Sequence, residues 1–182
     1  MKAARTGSLS RSGQVAAPSP FALDLIEALG ESAVQWRAER LRAYEYDGSI
    51  DVGHPAAVAL VATDADAASA IRVASRHGQP VVARGSGTGL SGGAVATRGG
   101  LTLSFSRMRA INLIDPPNLR AVVEPGVINL DVSRAVASHG LYFAPDPSSQ
   151  AACSIGGNIA ENAGGAHCLA YGVTTNHVTG LE

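Results

Sequence analysis

Residues Pro80–Ala94 read PVVARGSGTGLSGGA: a short apolar run, Val81-Val82-Ala83, closes on Arg84, and five of the next nine residues are glycine. Glycine lets a backbone turn through positive φ and lets a ligand approach the main chain closely. Gly87-x-Gly89-x-x-Gly92 has dinucleotide spacing and follows a predicted strand. A Rossmann site also needs a helix that starts at the loop and aims its N-terminus at the pyrophosphate. Here GAVATRGGLTLSF runs within a few residues to another glycine pair and a strand, which leaves no room for that helix. A P-loop needs a lysine on the phosphates, and this region has none. A Rossmann-type nicotinamide enzyme stays open as a minor reading, to be decided by whether a helix starts at Gly92, and two others stand beside it. One is a plain glycine-rich hairpin; the other is a nest of backbone N–H groups interleaved with the Ser86, Thr88 and Ser91 hydroxyls, which binds anions without a helix. Hydrogen bonds to a charged acceptor contribute about 1.5–3 kcal/mol each, so several such donors hold a pyrophosphate without lysine.

A second glycine-rich stretch, SIGGNIAENAGG (Ser154–Gly165), places Gly156-Gly157 before a short helix-like NIAENA and another glycine pair after it. Two nests in one small domain exceed what packing requires. They read as two walls of a slot for a long, doubly charged ligand.

Around these loops the chain alternates helix and strand signals. Ser19-Pro20 predicts an N-cap with proline in the first turn, and Gly30 a stop. A second helical stretch is expected over Ala33–Arg42. Val58–Val61 reads as a buried strand. Thr63 and Asp66 form a capping box ahead of a helix that Gly78 ends, with Ala67, Ala70, Ile71 and Ala74 on its inner face. With the strand Val81–Ala83 this makes a β-α-β unit of parallel strands. Leu101–Ser106 reads as an alternating strand and Ala121–Glu124 as another. Pro125-Gly126 reads as a turn, and Asn129 as the cap of a helix running to His139. The closing VTGLE resembles the start of a strand. Residues 1–18 lack periodicity and are expected to be a mobile tail, 19–49 an N-terminal helical segment, and 50–182 one domain.

Composition narrows the function classes. The 182 residues carry a net charge of −1, which gives no electrostatic case for nucleic acid. Lys2 is the only lysine among 14 basic residues. No run is apolar and long enough to span a membrane, the N-terminus lacks a secretory h-region, and the two cysteines, Cys153 and Cys168, are not in CxxC spacing. A reducing cytoplasmic setting is expected. The five histidines have no metal-ligand spacing, so no metal is expected. His77 and His139 fall at helix C-termini, where a cation favours the dipole.

Together, PVVARGSGTGLSGGA, VEPGV, APDPSSQAACSIGGNIAENAGG and YGVT resemble the PCMH-type FAD-binding domain of the vanillyl-alcohol oxidase / p-cresol methylhydroxylase superfamily. Within it they are most similar to the FAD-linked glycolate oxidase subunit and related D-lactate dehydrogenases. The resemblance covers about residues 40–182. It implies an α+β fold of two subdomains: a small parallel sheet with helices, then a mostly antiparallel sheet. FAD would lie between them. Arg84, Gly85, Ser86, Gly87, Thr88 and Gly89, with Ser91, Gly92 and Gly93, would carry the pyrophosphate. Pro145, Asp146, Pro147, Ser148 and Ser149, with Gly156, Gly157, Asn158, Asn162 and Gly165, would line the ribityl and isoalloxazine side, closed by Tyr171 and Gly172.

Relatives with covalent flavin carry histidine where this chain has Thr88, so the resemblance implies dissociable FAD. The implied chemistry is hydride transfer from a 2-hydroxy acid to FAD. The base lies in a substrate domain that follows the FAD domain in the family, and the chain is expected to be C-terminally incomplete. Companion subunits and an electron acceptor of unknown kind are further implied partners. The alternative is a truncated or split-gene fragment without catalysis of its own. No catalytic residue is assigned. His167 stands near the second nest, Asp146 and Glu161 are the nearest acids, Cys153 reads as a small buried residue, and Arg84 either meets phosphate or snorkels from its strand.

Overall fold

The computed structural model describes residues 17–182, so the tail expected over 1–18 lies almost wholly outside the described residues. Helix α1 (Pro20–Leu29) starts as expected: the Ser19 hydroxyl accepts the Ala22 N–H at 3.2 Å, and Gly30 ends it at φ +85°. Phe21, Ala22 and Leu25 are its buried face. The helix expected over Ala33–Arg42 is not continuous. Val34–Gln35 forms an edge strand, β1, and only Ala38–Leu41 (α2) is α-helical. Val34 is 4% exposed, and pairing antiparallel with the next strand buries its β-branched side chain in the sheet core.

Strand β2 (Ala57–Leu60) leads into α3 (Asp64–Arg76). The capping box closes as the sequence predicts: Thr63 Oγ1 accepts the Asp66 N–H, and the Asp66 carboxylate accepts the Thr63 N–H. The inner face of α3 is Ala70, Val73 and Ala74, with Ala67 packed at its margin; Ile71, expected inside, is 46% exposed. His77, at the α3 C-cap, meets Asp24 of α1 at 2.8 Å. Strands β3 (Val81–Arg84) and β4 (Leu101–Ser104) complete a sheet of order β1-β2-β4-β3. β2 and β3 are parallel, as expected, but β4 lies between them. All four β4 residues are buried, so the alternation expected over Leu101–Ser106 is absent: a central parallel strand is covered on both faces.

Register sorts the two faces. Ala57, Ala59, Leu101 and Leu103 join the core beneath α1 and α3. Leu60, Ser104 and Arg84, which are register partners, belong to the opposite set. That face carries the site.

The second part begins with an antiparallel ribbon, β5 (Ile111–Asp115) and β6 (Arg120–Val123); the first of these was not expected from the sequence. Helix α4 (Asn129–Val136) continues as a 3-10 turn through His139 to Gly140 at φ +70°. Asn129 does not cap it. Ile128 holds the cap position, and the Asn129 side chain is buried, donating to the Pro145 carbonyl at 3.1 Å. Two short helices follow, α5 (Ile155–Ala160) and α6 (Cys168–Tyr171). The segment VTGLE is not a strand among the described residues; a 3-10 turn spans Thr174–His177 before it. Val127, Val132 and Ile155 form a second small core, against which Ile111, Val123, Phe143 and Ile159 pack. The α+β class and the pairing of a parallel sheet with an antiparallel one match the expectation.

Candidate functional site

A cleft of about 340 Å³ opens between the two parts. Gly85 and Ser86 enter it from the C-terminal end of β3, and Ser104, Ser106 and Arg109 from the end of β4. Gly126, Ile128, Ala152 and Ser154 form the facing wall, and Ala43, Tyr44 and Arg84 its side. The carboxyl ends of parallel strands are where open α/β sheets place their ligands.

Residues 85–100 contain no helix or strand, so no helix starts at this loop, and the Rossmann geometry is excluded. Gly87 and Gly92 have φ of +69° and +75°. The segment before the domain holds the loop from outside. Gly48 packs on the carbonyl oxygens of Thr88 and Gly89, the Asp51 carboxylate lies beside Gly92, and Asp47 accepts the Ala94 N–H at 3.4 Å.

Arg84 is 8% exposed and folds back. Its guanidinium donates to the carbonyls of Ala94 (3.4 Å) and Ala43 (3.5 Å) and lies 5.6 Å from the centre of the Tyr44 ring. Burial pulls its pKa down, and the Asp47 charge opposes that. For Asp47, burial pushes the carboxyl up; hydrogen bonds from Ser49 and Ala94 and the Arg84 charge outweigh it and leave the pKa below the ordinary value. Arg84 therefore ties residues 43–47 to the glycine loop.

The second stretch is built differently. Gly156 and Gly157, expected in a loop nest, lie inside α5, which starts before them at Ile155. The Gly156 N–H is already donated to the Pro125 carbonyl at 2.8 Å, and its Cα sits so close to Pro125 that a Cβ has no room. Asn158 is buried on α5, and Asn162 (φ +50°) accepts the Thr175 N–H at 3.1 Å. Gly165 abuts the Asp146 backbone. The Asp146 carboxylate accepts the His167 N–H at 3.1 Å and contacts its ring Nδ1 at 2.6 Å; the backbone donor first, then the side chain, hold its pKa below the ordinary value. In the turn Pro147–Gln150 the Gln150 N–H returns to the Pro147 carbonyl, and the Ser149 carbonyl accepts from Ala152 and Cys153. Tyr171 stacks edge-on with Tyr142, and Gly172 (φ +85°) turns against Asn176.

Of the residues expected at the site, Arg84, Gly85 and Ser86 line the cleft; the others do not. The two glycine stretches do meet. The Ser154 hydroxyl lies between Gly85 and Gly157, and the Glu161 carboxylate lies over Gly93. Tyr44, Ser104, Ser106, Arg109, Gly126 and Ser154 were missed. Gly126 and Ser154 lay inside quoted motifs, VEPGV and SIGGNIAENAGG, and Ser104-x-Ser106 stands at the end of a strand beside a glycine loop; Tyr44 and Arg109 left no signal in the sequence.

The side chains fit a cofactor rich in acceptors. Ser154 Oγ and Asn158 Nδ2 are buried without a hydrogen-bond partner, and an added Cβ at Gly85 would strike the Ser154 hydroxyl, so the wall is shaped to the limit of a bare backbone. The family model of the FAD binding domain matches residues 55–182. The chain belongs to this family. FAD is the cofactor these residues are built for. The glycolate oxidase subunit GlcD of Escherichia coli K12 is 50% identical over 145 residues, 79% of this chain and 29% of that protein. The D-lactate dehydrogenase of Archaeoglobus fulgidus is 39% identical over 145 residues, 77% of this chain and 32% of that one. The chain thus spans about a third or less of these relatives' length. In fold it is similar to p-cresol methylhydroxylase: TM-score 0.70 at 21% identity, over 79% of this chain and 29% of that one. Among the described residues no helix is long and apolar enough to cross a membrane, and no cluster of metal-ligating side chains is present.

Proposed function

We propose that this chain is the FAD-holding part of a flavin-dependent oxidoreductase that converts a 2-hydroxy acid of the glycolate or D-lactate type to the 2-keto acid. Bound FAD supplies the hydride acceptor. The chain's own residues bind and orient. Gly85 and Ser86 present a bare backbone and a hydroxyl, Ser104 and Ser106 add hydroxyls from the next strand, and Ser154 closes the far wall. The cleft lining holds hydroxyls and arginines with no carboxylate or imidazole, so this half of the site positions the cofactor and does not move a proton. Residues outside this chain, in a substrate domain or a companion subunit, complete the reaction in this reading; the relative named a subunit supports it. Thr88 offers no imidazole for a covalent flavin link, and the FAD is proposed to be dissociable.

The buried, unpartnered Ser154 hydroxyl, lodged against Gly85 in the cleft wall, is the observation that carries the reading. The visible spectrum of the purified chain, after FAD addition and desalting, tests it. Retained flavin absorbance that is released intact on denaturation is expected. Flavin that washes out completely refutes binding by this chain, and flavin that stays with the denatured protein refutes dissociable attachment.

A further inference from the structure

We propose that Arg109 is the counter-charge for the diphosphate of the bound dinucleotide, with the Ser106 and Ser154 hydroxyls as its neutral partners. This rests on the FAD reading and assigns a residue that neither glycine stretch contains. A diphosphate in a cleft carries two negative charges, and nearby cations stabilise it more strongly there than in bulk water.

The permanent cations at the cleft are few. The only lysine is Lys2, far along the sequence. Arg84 lines the cleft, but its guanidinium is engaged with two carbonyls and the Tyr44 ring. Arg107 donates to the Ser32 carbonyl at 2.8 Å on the other side. Arg109, two residues further, lines the cleft with an exposed side chain and makes no hydrogen bond or ion pair among the described residues. The chain turns at Ser106-Arg107 after β4, and Arg107 reaches Ser32 while Arg109 lines the cleft.

The hydroxyls point to the same ligand independently. Ser154 is 2% exposed, lines the cleft, and its Oγ has no partner. Ser104 donates to Ser106 Oγ at 3.2 Å, which leaves the Ser106 proton free to be donated into the cleft. A cation and the unspent Ser106 donor at the cleft, with the unpartnered Ser154 hydroxyl buried in its wall, suit a charged, acceptor-only group better than they suit a neutral ring. The far half of the glycine loop is less suited to a second anion, because the Asp51 and Glu161 carboxylates already lie against Gly92 and Gly93.

The test is FAD titration by flavin fluorescence on the wild-type chain, R109Q and R109K, each at low and high salt, with thermal melting as the control for folding. R109Q is expected to raise the FAD Kd roughly 10- to 100-fold, the worth of one charge-assisted hydrogen bond. It is also expected to flatten the salt dependence, with an unchanged melting midpoint, and R109K is expected to restore most of both. An R109Q Kd within twofold of wild type, or a loss with the salt dependence intact, overturns the assignment while leaving FAD binding standing. A wild-type chain that binds no FAD overturns the cofactor reading itself.

Discussion

The two glycine-rich stretches have similar composition and different backbone physics. Residues 85–93 form a loop without regular structure, and Gly87 and Gly92 use the positive φ that side chains disfavour. In residues 154–165 no glycine has positive φ; that conformation falls to Asn162. There Gly156 and Gly165 serve by lacking a side chain, so that helix α5 and the following turn lie against Pro125 and the Asp146 backbone. The first stretch uses freedom of the backbone at Gly87 and Gly92 and absence of volume at Gly85 and Gly93; the second uses absence of volume alone. They meet at the Glu161 carboxylate, over Gly93, and at the Ser154 hydroxyl, enclosed by Gly85 on one side and Gly157 on the other.

The strongest way to break this comparison is G85A. The new Cβ collides with the Ser154 hydroxyl, which is buried and has little room to retreat. Overpacking of this kind costs about 1–3 kcal/mol, or about 2–12 °C in melting midpoint for a chain of this size. The double variant G85A/S154A removes the obstacle and should recover most of the loss. If the two substitutions simply add, the contact is not what requires glycine at position 85.

A smaller and pH-dependent effect is expected at the anchor of the first loop. The Asp47 pKa is lowered in the folded chain, so its contribution is fully present above the unfolded carboxylate value. It is lost as pH falls through the folded one. The stability difference between wild type and D47N should therefore be constant from pH 5 to 8 and shrink below about pH 4, where unfolded aspartate titrates. Calorimetry across that range reads it. A difference that grows on acidification means Asp47 does not hold the loop through its charge.

What could be read from the sequence follows the range of the interactions. The Ser19-Pro20 start and the Thr63–Asp66 box are local hydrogen bonds, and both closed as expected. Strand β1 is two residues whose state depends on a partner more than twenty positions away, and β5 exists through its pairing with β6. Asn129 has the chemistry of a cap, yet its amide is used across the second core on Pro145, a contact no local rule encodes. The family and the loop were legible from their motifs. The cleft was not, because Ser104, Arg109 and Ser154 converge through register and through the packing of α5.

The finest distinction is G157A. Gly157 is helical, and an added Cβ would lie 3.3 Å from the same Ser154 oxygen that blocks position 85. Alanine in a helix is favoured over glycine by about 0.5–1 kcal/mol. A contact of that length is relieved when the hydroxyl shifts by a few tenths of an ångström into the space that Gly85 leaves open. G157A is therefore expected to melt at or up to a few degrees above wild type. In the G85A background that space is gone, so the same substitution should turn destabilising. A change of sign between the two backgrounds would show one hydroxyl setting the limit for both stretches. Equal effects in both would mean that helix and loop are packed independently, and that their common glycine content has two unrelated causes.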